Sequence, residues 1–150
     1  MQFALQLPRR PQAAASVRGS REYPNVRGTV RFYQTPCGVL VAAEIQGLPQ
    51  TEQPCRGGIF AFHIHSGTAC CGDENDPFAQ ALGHYNPKNC EHPYHAGDMP
   101  PLFGSGGQAF LAFLTDRFSI QEVLGRTVII HQRPDDFSTQ PSGNAGKKIA

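Results

Sequence analysis

Six histidines and one aspartate carry most of the chemistry open to this 150-residue chain. His63, His65, His84, His92 and His95 crowd into one stretch, and His131 ends the strand-like run TVIIH at 127–131. Asp98 follows His95 by three positions. Imidazole is the commonest protein metal ligand, and a carboxylate beside it suits zinc. Seven such groups exceed what one four-coordinate ion uses, so the pattern predicts a two-metal site and redox or metal-assisted chemistry. His63 and His65, two apart on a strand, leave the same face with Cα atoms about 6.6 Å apart. They can converge on one ion, and His131 can add a third nitrogen from across a sheet. A flattened set of three or four nitrogens is what copper(II) prefers. His92, His95 and Asp98 instead share an irregular loop that can wrap tetrahedrally around zinc. His84 lies between the groups and has two ring nitrogens, so it can serve both ions when deprotonated. Any one of these histidines alone is as readily explained by packing or by a turn. All six together are not.

The elements that must hold these groups are strands. Val26, Gly28, Val30 and Phe32 alternate with Arg27, Thr29, Arg31 and Tyr33, a period of two with one apolar face. The turn TPCG at 35–38 leads into VLVAAEI at 39–45, the second arm of a hairpin. GIFAFHIH at 58–65, QAFLAFLT at 108–115 and TVIIH at 127–131 read as further strands. Between them, residues 66–106 and 132–146 show no sustained periodicity, and loops that long in a small domain are usually functional. No convincing helix is found, although DPFAQAL at 76–82 can make one short turn. With 16 Gly, 13 Pro and 39% hydrophobic residues, the composition fits short strands joined by structured loops. The fold class is therefore all-β, an antiparallel sandwich or flattened barrel.

The length allows one core, so residues 22–150 form the domain and 1–21 a flexible, basic leader. A net charge of +1 gives no ground for nucleic-acid or membrane partners, and no stretch approaches the ~20 apolar residues of a bilayer span. MQFALQL precedes Arg9 and Arg10, the reverse of a secretory signal, so the protein is expected to be soluble and cytoplasmic. The five cysteines, Cys37, Cys55, Cys70, Cys71 and Cys90, leave at least one unpaired. Cys70, Cys71 and Cys90 are open to zinc ligation, to a disulfide between Cys90 and either of the other two, or to plain burial.

FHIH at 62–65, GHYNP at 83–87, HAGD at 95–98, GRTVIIHQRPDD at 125–136 and GNAG at 143–146 resemble, in order, the motifs of copper/zinc superoxide dismutases. The resemblance spans roughly residues 26 to 150. It implies an eight-stranded antiparallel Greek-key β-barrel, with His63, His65 and His131 as copper ligands and His84 as the bridge between copper and zinc. His92, His95 and Asp98 become zinc ligands, and Asp135 a carboxylate linking a copper histidine to a zinc histidine. The gap between His92 and His95 is shorter than in the familiar eukaryotic enzymes. Where the family carries an active-site arginine this chain has Lys148, which keeps the positive charge but loses the rigid guanidinium fork. The sequence stops at Ala150, before the family's cysteine and final strand, so that strand and its disulfide to Cys70 or Cys71 are expected to be missing.

What the resemblance implies is dismutation of superoxide to dioxygen and hydrogen peroxide with copper and zinc as cofactors, and a homodimer is an open option for the assembly. In it His63, His65, His84, His131 and Lys148 do the catalytic work. The alternative is a non-enzymatic copper/zinc-binding domain of the same fold. A zinc hydrolase is disfavoured, because His84, His92, His95 and Asp98 would close the zinc shell to water.

Overall fold

A computed structural model describes residues 9–53, 55 and 57–150 of the chain. Among these it contains β1 (Ala13–Arg18), β2 (Arg27–Thr35), β3 (Gly38–Gln46), β4 (Ile59–Phe60), β5 (Phe62–His65), β6 (Leu102–Phe103), β7 (Gln108–Thr115) and β8 (Thr127–Ile130). A 3-10 turn spans Ala79–Ala81, and one short helix, α1, spans Ile120–Val123. All pairing is antiparallel, with a four-stranded sheet ordered β1-β2-β3-β7 and two small ladders, β4-β6 and β5-β8. The all-β class expected from the sequence is what forms. The expected closed barrel appears as three hydrogen-bonded sheets, with no continuous ladder joining them among the described residues.

Period-two burial explains the large sheet. Val39, Val41, Ala43 and Ile45 of β3 are buried, as are Val30 and Phe32 of β2. They meet Phe62, Ile64, Leu102, Ile130 and Ile149 in one core. Each of the valine, leucine, isoleucine and phenylalanine side chains among them contributes about 1.5–3 kcal/mol relative to exposure.

Two expectations need correction here. Residues 13–18, placed by the sequence in a flexible leader, form β1, paired residue for residue with β2 from Ala13↔Phe32 to Arg18↔Arg27. The inward positions Ala13 and Ala15 are too small to produce a visible apolar alternation, so only Val17 signals the strand. Residues 1–8 of that leader lie outside the described residues. The other miss is α1, which is four residues long and carries a full capping box between Ser119 and Glu122.

Strand β5 and its neighbours build the platform for the site. Phe62 pairs with Ile130 of β8, and both face the core. Beyond Ile130, the His131 N–H donates to Ala61 O (2.9 Å). Alternation therefore sends His63, His65 and His131 to the opposite face from the core. At the other edge of β5, Ile64 N–H donates to Gly97 O (2.9 Å) and Tyr85 N–H donates to Ile64 O (2.8 Å). These bonds bring the segments bearing His84 and Asp98 alongside, seen also as the bridges His65↔His84 and His63↔Asp98. Residues 148–150 run beside β8, with Ile149 N–H donating to Ile130 O (2.8 Å) and Ile130 N–H to Ala150 O (2.8 Å).

Gly97 makes this approach feasible, because a Cβ there would lie 2.2 Å from Ile64 O. Gly97→Ala should break the contact that seats Asp98 and destabilise the metal-free protein by about 2 kcal/mol or more. A urea unfolding midpoint equal to that of the wild type would remove this account of the loop's docking.

Candidate metal centre

All seven expected ligand residues converge. His63, His65, His84 and His131 offer ligand atoms within 4.8 Å of one another, and so do His84, His92, His95 and Asp98. His84 belongs to both groups. Burial is nearly complete, with the His63 and His92 side chains 0% exposed and that of His84 2%.

Hydrogen bonds at the far side of each ring decide which nitrogen faces the centre. Carbonyls only accept, so His65 Nδ1–H must donate to Leu82 O (2.7 Å), leaving the lone pair on Nε2. His131 Nδ1 faces Gly146 O at 3.4 Å in the same sense. The result places His65 Nε2 and His131 Nε2 3.2 Å apart, lone pair against lone pair. A shared proton could relieve this, but burial first and the mutual charge second push the pKa of His65 down to about 2. Burial and His63 push that of His131 to about 3. A metal cation is the group this geometry suits.

Asp135 does the corresponding work from the middle. Its Oδ2 accepts from His63 Nε2 (2.7 Å) and its Oδ1 from His92 Nε2 (2.8 Å), one carboxylate oriented between both clusters. Burial alone would raise its pKa, yet the hydrogen bonds from His63 and His92 outweigh it and hold the carboxyl below the usual range. The Nδ1 atoms of His63 and His92, together with His84 Nε2, are then buried without a hydrogen-bond partner. Such orphans are costly unless something binds them. Gly143 is shaped by the same residue: its φ is +70°, and a Cβ would sit 2.0 Å from Asp135 Oδ1.

The second cluster gathers around Asp98. Its Oδ1 lies 2.7 Å from His84 Nδ1, while Oδ2 lies 3.1 Å from His92 Nδ1 and 3.3 Å from His95 Nδ1. Three nitrogens and one carboxylate in a closed loop suit tetrahedral zinc, whereas the all-nitrogen group suits copper(II).

Three positioning contacts carried no sequence signal. Gln140 clamps the His92 backbone, accepting from its N–H (2.9 Å) and donating to its carbonyl (2.7 Å), which ties the 132–146 loop to the metal loop. Arg117 Nη1 donates to Pro93 O (2.9 Å) and, at 3.4 Å, to the carbonyls of His95 and Asp98. Asp76 pairs with Lys148, and the opening DP of DPFAQAL pointed to a turn but not to that ion pair. The Lys148 ammonium, the positive charge that stands where the family carries an arginine, is held by that carboxylate. All five cysteines are free thiols, so no bridge joins Cys90 to Cys70 or Cys71.

The sequence profile described as copper/zinc superoxide dismutase (SODC) matches residues 26–150. The chain belongs to this family. A superoxide dismutase [Cu-Zn] of Legionella pneumophila is 36% identical over 135 residues, covering 85% of this chain and 76% of that protein. A superoxide dismutase [Cu-Zn] 2 of Aquifex aeolicus is 33% identical over 140 residues, covering 83% and 77%. Among solved structures, a SOD-like protein from Bacillus subtilis superposes with a TM-score of 0.71 at 26% identity, covering 91% of this chain and 93% of that one.

Two outcomes follow from the geometry. Asp135→Asn should lower the affinity for both metals by about 10–100-fold, because it disturbs the orientation of one histidine in each cluster; competition with a chelator measures it. The second concerns pH. His65 and His131 have folded pKa values below the ordinary 6.5, so the unfolded chain takes up their protons first as pH falls. The metal-free protein should lose stability from about pH 6.5 downward, by up to about 1.4 kcal/mol per pH unit per histidine. The depressed Asp135 acts only below about pH 4, outside that window. A flat profile of urea midpoints between pH 7.5 and 5 would contradict the buried, neutral histidines.

Proposed function

We propose that this chain disproportionates superoxide to dioxygen and hydrogen peroxide, the activity named in its relatives. The observation that carries the reading is His84, one imidazole common to a nitrogen-only cluster and to a cluster with a carboxylate. We assign His63, His65, His84 and His131 to copper, and His84, His92, His95 and Asp98 to zinc. Bound copper supplies one-electron exchange between two oxidation states, and zinc supplies charge without redox chemistry.

The protein's own groups do the remainder. Leu82 O and Gly146 O hold His65 and His131 in the tautomer that leaves Nε2 free, and Asp135 leaves Nδ1 of His63 free. Locked tautomers mean the ligand set needs little reorganisation. His84 Nε2 has no protein partner, while its Nδ1 stays against Asp98. It is the atom placed to take up and return a proton. Lys148, bridged through its backbone to His131, supplies a cationic hydrogen-bond donor in the wall of the cavity for the incoming anion. We place the protein in the cytoplasm, where its five free thiols are kept reduced.

The test is to load the protein with both metals and measure metal stoichiometry, the copper(II) EPR spectrum and superoxide removal. Wild type should bind one copper and one zinc and turn over. His131→Ala should lose activity by at least about 100-fold, more than loss of an outer partner costs, with zinc content retained. Copper bound without turnover in the wild type would favour the non-enzymatic alternative instead.

A further inference from the structure

An open cavity of about 1610 Å³ leads to His65, His84 and His131. Its cationic side chains are Arg21, Lys147 and Lys148, set against five carboxylates. For a site that takes an anion, this balance is unexpected. Lys147 is paired with Glu22 at 3.6 Å on the exposed rim. Lys148 lies deeper, its side chain 16% exposed, and its Nζ donates to Asp76 Oδ2 (2.5 Å) and to Phe78 O (3.0 Å).

Asp76 is itself held firmly. Its Oδ1 accepts from Phe78 N–H (3.0 Å), and its carbonyl accepts from the N–H groups of Asp73 and Ala79 (both 3.1 Å). The same turn ends at Leu82, whose carbonyl fixes the His65 tautomer. One small body of chain therefore sets both the position of the ammonium and the orientation of a copper-side imidazole.

A point charge attracts an anion over about a Debye length, ~10 Å at 0.1 M salt. A cation in contact with a carboxylate acts as a dipole, whose field dies away much sooner. Two of the three ammonium donors are also engaged, which leaves one for an incoming ligand.

We propose that Asp76 is a positioning residue that tethers the Lys148 ammonium to the 76–82 turn and cancels most of its long-range field at the cavity. Small anions then meet a single directed N–H and little electrostatic steering. This rests on the reading of Lys148 given above.

The test uses the copper- and zinc-loaded protein, with two readouts: the second-order rate constant for superoxide removal, and azide affinity from the visible copper spectrum. Both are followed from about 10 mM to about 1 M ionic strength, where the Debye length falls from ~30 to ~3 Å. Asp76→Asn keeps an acceptor for Phe78 N–H and removes the charge. It should raise the rate constant and tighten azide by about 2–5-fold at low salt, with the gain vanishing at high salt. Asp76→Glu should keep the wild-type salt dependence, which a merely structural role would not restore. Glu74→Gln, a carboxylate of the same cavity, should shift both readouts less. Wild-type salt dependence in Asp76→Asn, or an equal shift in Glu74→Gln, overturns the proposal. Loaded protein that removes no superoxide would defeat the functional reading alone, since azide affinity still decides the role of Asp76.

Discussion

The structure depends on one unfavourable contact: nitrogen lone pairs turned toward each other in a buried site. His65 and His131 face each other at 3.2 Å, and three further ring nitrogens have no hydrogen-bond partner. Neutral imidazoles in that arrangement repel, and burial suppresses the protonation that would otherwise relieve them. The outer hydrogen bonds, to Leu82 O, Gly146 O and Asp135, prevent the rings from turning away. Stability has thus been given up locally so that a cation can restore it. In such a site the free energy of metal binding is also the free energy of ordering the protein around it.

That constraint explains why the two long loops are so heavily cross-tied. His63, His65 and His131 leave a sheet face, so their backbone is placed by the strands and only their rings need outer partners. His84, His92, His95 and Asp98 come from irregular chain, where nothing periodic fixes a side chain. Bonds to β5 through Gly97 and Tyr85 supply one tie, Gln140 a second and Arg117 a third. Asp135 then spans both halves, so an error in placing one histidine is felt by the other.

The sequence carried the ligands and the strand platform, for definite reasons. Histidine is rare and its chemistry narrow, and FHIH and TVIIH are periodic, so residue type and position spoke together. β1 was missed because alanines facing inward give no contrast with alanines facing out. α1 was missed because four residues are too few for a helical period, although Ser119 and Glu122 spelled out its cap. Gln140, Arg117 and Asp76 were invisible for a different reason. Each acts through partners 19 or more positions away, and a glutamine, arginine or aspartate in a loop looks alike whether bound or solvated.

The lysine itself explains why its tether matters. A guanidinium has five donors in a plane, so it can satisfy a carboxylate and a carbonyl and still present a fork to an anion. An ammonium has three, and Asp76 and Phe78 O occupy two of them. Lysine at this position therefore cannot be both firmly anchored and richly donating. Without the anchor, its flexible stem would let the charge wander along the cavity wall at a cost in side-chain entropy each time it engaged a ligand. With the anchor, it offers one donor at a fixed place in the cavity that leads to His131, and the carboxylate that fixes it removes most of its reach. Precision at short range and attraction at long range are in conflict here, and the 76–82 turn resolves the conflict in favour of precision.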